Sequence, residues 1–288
     1  VARYWERRLR KDAVNLSLPD EQAEHTYYAS LAYLLISMDN GMLKNNLFSE
    51  EKDTSFDYSR CYQALLQSGF KEIVRQHLKT QSVRQEKFIA QVAAYYRFTR
   101  EKKFLKSVWK SILSIVEQHQ HNSVFINELR EAVFIARELG ERDDAKRIKT
   151  AVNEMESQTA SSDGTNGIDS ASFRTEVSLI QSCDAAANYM CALRSNLLFE
   201  EKERLVVGAG IPKDWLRVGE KIQIENAPTH WGTMSYVILV GKDGKKISFK
   251  LSDDVEPPDG FVLRLPFSEK EIERAAVNRR ETSVEENG

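Results

Sequence analysis

Residues 88–140 read FIAQVAAYYRFTREKKFLKSVWKSILSIVEQHQHNSVFINELREAVFIARELG, and this stretch decides the fold. Phe88, Val92, Tyr95 and Tyr96 recur three or four apart, as do Phe104, Val108, Ile112 and Ile115. That spacing is the signature of amphipathic helices. Only Thr99-Arg100-Glu101 separates the first pair, and Leu139-Gly140-Glu141 ends the next helix. Joints so short force each helix to run antiparallel to the one before it, which makes a string of helical hairpins.

The same pattern extends in both directions. Upstream, Pro19-Asp20 opens a helix whose first free N–H groups Asp20 can cap. Tyr27, Leu31, Leu34, Leu35 and Met38 share one of its faces, and Asn40-Gly41 is expected to end it. A helix from about 57 to 68 carries Cys61, Tyr62, Leu65 and Leu66, and Gly69 suits the left-handed position after it. Further helices are expected near 70–79, 85–98, 101–118, 123–139 and 143–157. The breaks at Gly69, Thr99 and Gly140 lie 30 and 41 residues apart, an irregularity that argues against a 34-residue helical repeat. Gln158 to Asp169 (QTASSDGTNGID) reads as a flexible linker. Beyond it Val177, Ile180, Met190, Leu193 and Leu197 resume the helical spacing.

After Leu198 the period changes to two. Leu205-Val206-Val207 precedes the Gly208–Pro212 turn, and Ile222 and Ile224 alternate with Lys221, Gln223 and Glu225. Residues 236–240 and Ile247, Phe249 and Leu251 flank Asp243-Gly244, a strong hairpin signal. Pro257-Pro258-Asp259-Gly260 turns the chain into 261–265. The expected organisation is a helical-hairpin domain over 1–200 with its linker at 158–169, a small antiparallel β-domain over 201–267, and a polar helix or loose tail over 268–288.

Composition narrows the function. The 288 residues carry 41 Lys and Arg against 43 Asp and Glu, a formal charge of -2. No strong positive field advertises nucleic acid or an anionic membrane. Apolar runs such as Leu31 to Ile36 fall far short of the roughly 20 residues a bilayer requires. Cys61, Cys183 and Cys191 are too few and scattered for a disulfide framework or a zinc site, and read as small buried apolar residues. The chain opens at Val1 inside a helical pattern without a basic-then-apolar leader, so upstream sequence is expected to be missing or processed away. Gly208-Ala209-Gly210 lacks a phosphate loop's third Gly, and no GxSxG elbow occurs.

Several stretches carry a family likeness: residues 30–41 (SLAYLLISMDNG), 62–69 (YQALLQSG), 93–106 (AAYYRFTREKKFLK) and 135–140 (IARELG). The most specific is 208–216 (GAGIPKDWL) followed by 225–236 (ENAPTHWGTMSY). On these residues the chain resembles the C-terminal part of the six-hairpin glycosidases over roughly 4–157 and 172–265. The resemblance implies αα-hairpins curled into a partial (α/α) toroid, followed by the β-domain. It departs from the family in having fewer helices than the twelve of a full toroid and in lacking an upstream β-sandwich.

The resemblance also implies chemistry. Such enzymes use two carboxyl groups, one protonating the leaving oxygen and the other activating water or attacking carbon. Asp57 falls where relatives carry an acid, although its neighbour is Phe56 rather than Arg and the preceding loop is charged rather than aromatic. Read locally, Asp57 is a helix N-cap. Asp39, Glu128 and Glu131 are the other acids that could line the same mouth. Local chemistry makes Asp39 a turn residue, and Glu128 and Glu131 members of a solvated mid-helix face. His119 and His121 lack further metal-ligating neighbours and read as exposed loop residues; Trp231, next to His230, reads as a strand-to-helix lock. The expectation is a mainly α, glycosidase-like, carbohydrate-related protein, a fragment or catalytically degraded copy that is inactive as an isolated chain. It needs no cofactor or metal and takes an oligosaccharide as partner. The alternative is a non-enzymatic helical scaffold that binds a protein.

Overall fold

The computed structural model describes residues 5, 7–9, 13–39, 42–43, 57–80, 87–159, 182–242, 246–251, 255–268, 271, 276–277 and 280–281. The linker expected at 158–169 lies outside them except for the last residues of a helix, as does the pattern expected at Val177 and Ile180. The helices are α1 (Glu21–Ile36), α2 (Ser59–Gln67), α3 (Lys71–Thr80), α4 (Phe88–Thr99), α5 (Lys102–His119), α6 (Ile126–Leu139), α7 (Arg142–Thr159) and α8 (Cys183–Leu197). Mainly α with a small β part is therefore the fold class.

The helix ends follow local chemistry. Asp20 accepts the Ala23 N–H at 3.0 Å, a cap worth about 1 kcal/mol. After α2 the Phe70 N–H bonds the Leu65 carbonyl and the Gly69 N–H bonds that of Leu66, with Gly69 at φ +97°. Glu141 and Gly140 repeat the arrangement after α6 on Ala136 and Arg137. Both satisfy carbonyls that a helix end leaves open, while turning the chain sharply. Arg100 takes the same left-handed role after α4 without being glycine, at φ 55°. Its guanidinium donates to the His230 carbonyl at 2.8 Å and lies 5.7 Å from the Tyr96 ring, contacts that offset the backbone cost.

Packing arranges the helices in two rows. In the first, α8 packs on α2, α2 on α4 and α4 on α6, and α1 packs on the other side of α8. The second row is α3 against α2 and α4, α5 against α4 and α6, and α7 against α6. First-row contacts match start with start. Gln91 of α4 donates to Ser59 Oγ of α2 at 3.2 Å, and the Ala90 N–H donates to Glu128 of α6. Helices α2, α4 and α6 thus run parallel, with their N-termini along one rim. Their facing stripes hold the fully buried Tyr62, Leu65, Phe88, Ile89, Tyr95 and Tyr96, each burial worth roughly 1.5–3 kcal/mol. Among the described residues α6 and α7 make no substantial contact with α1 or α8.

The two larger sheets sit at the opposite end, where α2, α4 and α8 finish and where α1, running antiparallel to α8, begins. One sheet has the order β1 (Asn15–Ser17), β6 (Lys221–Thr229), β7 (Gly232–Val240), β8 (Ile247–Leu251). The other has the order β4 (Leu198–Glu201), β5 (Arg204–Val207), β9 (Phe261–Leu263). The β7–β8 pairing, with Val240 opposite Ile247, matches the expected hairpin, although its Asp243-Gly244 tip lies outside the described residues. Tyr236 Oη donates to the Leu197 carbonyl at 2.9 Å, and the Val14 N–H donates to the Ser68 carbonyl at 3.2 Å. These bonds tie the sheet to the ends of α8 and α2.

Four expectations need correcting. Residues 15–17 form a strand on β6, with Leu16 opposite Ile224, so the β-part recruits the beginning of the chain. A three-residue strand is too short to display a period. The second sheet is not wholly antiparallel: β5 and β9 run parallel, with Val206 opposite Val262, because the 208–260 excursion brings the chain back in the same direction. Helix α1 stops at Ile36, ahead of Asn40-Gly41, since β2 (Met38–Asp39) and β3 (Met42–Leu43) pair across that dipeptide. In the tail, β10 (Ala276–Val277) pairs with β11 (Arg280–Glu281), in place of a helix over those residues.

Candidate functional site

The rim where α2, α4 and α6 begin collects three of the four acids singled out in the sequence. Asp57 precedes α2, Lys87 precedes α4, and Glu128 and Glu131 lie in the first two turns of α6. Each helix start presents N–H groups without intrahelical partners, so the rim is lined with donors and favours negative charge.

Glu128 lies at its centre. It is 6% exposed, and its Oε2 accepts the Ala90 N–H at 2.8 Å, so a carboxyl from α6 caps the first turn of α4. Burial pushes its carboxyl up to about 7. The Ala90 N–H and Lys87 pull it down, while the neighbouring charges of Glu131 and Asp57 push it up further. Desolvation wins over the hydrogen bond. A carboxyl poised near neutrality beside a second acid is the electrostatic arrangement of an acid/base pair.

Asp57 is exposed, and its Oδ1 accepts the Ser59 N–H at 2.9 Å. The local reading of Asp57 as the N-cap is thus corrected: Tyr58 is the cap position, and Asp57 tethers the start of α2 from the residue before it. Glu131 is half-buried and pairs with Arg97 of α4 at 2.6 Å, and Arg97 in turn lies 4.5 Å from the Phe134 ring. Asp39 falls in β2, which follows α1; its side chain lies outside the described residues. The structure thus brings Asp57, Glu128 and Glu131 within electrostatic reach of one another. The solvated-face reading fails for Glu128, which is buried, and for Glu131, which is engaged by Arg97. The failure has a visible cause. Glu128 is three residues after Phe125 and four and seven before Ala132 and Ile135, all buried, so it stands on the apolar stripe of α6.

Sequence reasoning missed other buried polar groups. His77 of α3, 1% exposed, hydrogen-bonds Tyr62 of α2 through Nδ1, and burial pushes its imidazole down to about 4. Arg194 of α8 and Glu200 of β4 form a bidentate pair at 2.8 Å, with side chains 8% and 10% exposed. Gln91 Oε1, beneath the rim, has no hydrogen-bond partner among the described residues.

The remaining singled-out residues are structural. His119 stacks on Phe125 at 4.5 Å, and His121 is exposed. His230 sits edge-on to Phe98 at 4.8 Å, and Trp231 packs on the core, so this turn docks the sheet on the end of α4. Cys61, Cys183 and Cys191 are buried and form no disulfide, the first with its Sγ 3.6 Å from the Cys183 carbonyl. Among the described residues no group of three or more His, Cys, Asp or Glu could hold a metal ion, and no helix is long and apolar enough to cross a membrane. Comparison of the chain with protein-family models, with curated proteins and with solved structures returns no match.

Proposed function

We propose that this chain is a carbohydrate-binding relative of the six-hairpin glycosidases, its first-row helices an arc of an (α/α) toroid, whose acid pair no longer turns over substrate. One observation carries the reading: Glu128, held near neutrality by burial, stands with Asp57 on a single rim of helix starts. That is where an oxocarbenium-type reaction would want one protonated and one ionised carboxyl. The same geometry argues against turnover. Glu128 is 6% exposed with an oxygen committed to the Ala90 N–H, and Asp57 is committed to the Ser59 N–H. Both carboxyls now stabilise helix starts. The rim retains donors and acceptors suited to sugar hydroxyls.

The test is titration calorimetry with a panel of mono- and oligosaccharides, alongside hydrolysis assays on aryl glycosides. The expected result is saturable oligosaccharide binding, weakened in Asp57→Asn, with no hydrolysis. Hydrolysis that disappears in Asp57→Asn would overturn the inactive reading. Absence of binding to every sugar tested would overturn the carbohydrate reading.

The second reading, a scaffold for a protein partner, is favoured by the lack, among the described residues, of substantial contact between α6 or α7 and α1 or α8. Against it, the large apolar residues exposed among the described residues are few, Ile36, Val124, Val218, Phe261 and Leu263, and come from four separate segments.

A further inference from the structure

At the joint between helices and sheet lies a cavity of about 10 Å³ whose lining includes Val14, Leu16, Tyr27, Leu197, Gln67 and Arg194. Every one of these residues is at most 8% exposed. The two strongest hydrogen-bonding side chains in the lining each bring an unused group. A guanidinium has five N–H donors. Arg194 spends four: Nη1 on the Leu198 carbonyl and Glu200 Oε2, and Nη2 on Glu200 Oε1 and the Pro228 carbonyl. Its fifth, Nε–H, is out of solvent and has no partner among the described residues. Gln67 Oε1 is equally buried and equally without one. One is a donor and the other an acceptor.

We infer that this cavity is a binding site for a single structural water, which accepts from Arg194 Nε–H and donates to Gln67 Oε1. The volume is near the minimum that admits one water, and two to four polar partners are what a buried water requires. The water's second hydrogen has an acceptor in the same lining, the Tyr27 hydroxyl oxygen, which already bonds Ser68 Oγ at 2.9 Å. A larger ligand is excluded by size. An ion is disfavoured because Glu200 already neutralises Arg194 through two bonds. The water completes the hydrogen bonding of the residue that joins α8 to both sheets, and it ties the end of α2 to that joint.

The test is a high-resolution crystal structure of the full chain, with the same from Gln67→Leu and Gln67→Glu, and oxygen-17 relaxation dispersion in solution. The expected result is one water peak within about 3 Å of both Arg194 Nε and Gln67 Oε1. It should be retained in Gln67→Glu and lost in Gln67→Leu, with one fewer long-lived water in solution. A direct Gln67–Arg194 hydrogen bond with no water density would overturn the inference, as would a water that persists unchanged in Gln67→Leu. If Gln67→Leu fails to fold, the wild-type structure and Gln67→Glu decide between these results.

Discussion

Replacing Glu128 with glutamine separates its charge from its hydrogen bond. Glutamine is nearly isosteric and keeps an oxygen to accept the Ala90 N–H, so only ionisation is lost. In the folded chain the carboxyl titrates at about 7 instead of 4.5, chiefly because burial disfavours the anion. The sign follows from linkage. The folded state holds the proton more tightly than the unfolded state, so this contribution is complete below pH 4.5 and disappears as pH rises through 7. That displacement is worth about 3 kcal/mol between the two protonation states. The Glu128→Gln variant carries no such loss. The substitution should therefore be close to neutral at pH 4.5 and stabilise the chain by about 2–3 kcal/mol at pH 8, the residual hydrogen-bond difference being about 0.5–1.5 kcal/mol. Urea unfolding of both proteins from about pH 4.5 to 8.5, with midpoints and slopes fitted at each pH, measures the difference directly. Titrating groups remote from Glu128 are shared and cancel. A pH-independent difference, or a Glu128→Gln variant less stable than wild type at pH 8, would refute the assignment of Glu128 as a desolvated carboxyl.

Three further outcomes follow from the buried polar groups. Arg194→Met should cost about 3–5 kcal/mol, because Glu200 and two carbonyls are left without their cation; denaturant titration reads this as a lowered midpoint. His77 titrates at about 4 when folded and 6.5 when unfolded, so its own contribution to stability should fall by about 3 kcal/mol as pH drops from 6.5 to 4. Calorimetric melting of wild type and His77→Phe side by side should show their difference shrink by that amount across the window; the opposite change from Glu128 and the like change from His230 are present in both proteins and drop out of the difference. Finally, Cys61, Cys183 and Cys191 are 0%, 0% and 3% exposed, so a thiol reagent should label none of them in the native chain and all three in urea.

Much of the helical architecture was legible before folding because its causes are local. Tyr95 and Tyr96 follow Val92 at helical spacing and are buried accordingly; Gly69 and Gly140 take the left-handed turns their positions require. The β7–β8 hairpin was legible for the same reason. Three of the four acids singled out, Asp57, Glu128 and Glu131, are neighbours, but their local contacts were not legible. Whether a glutamate on α6 is solvated depends on which helix covers it, and the residue it caps there, Ala90, lies 38 positions earlier in the chain.

Residue spacing and turn chemistry alone determined where α2, α4 and α6 stop and reverse, since those choices are settled among residues a turn or two apart. Tertiary structure alone decided that residues 15–17 would become a sheet edge, that β5 and β9 would run parallel, and that Glu128 would be desolvated against the start of α4. Each depends on a partner distant in sequence. A buried charge or an edge strand takes its character from what is packed against it, which no local pattern specifies.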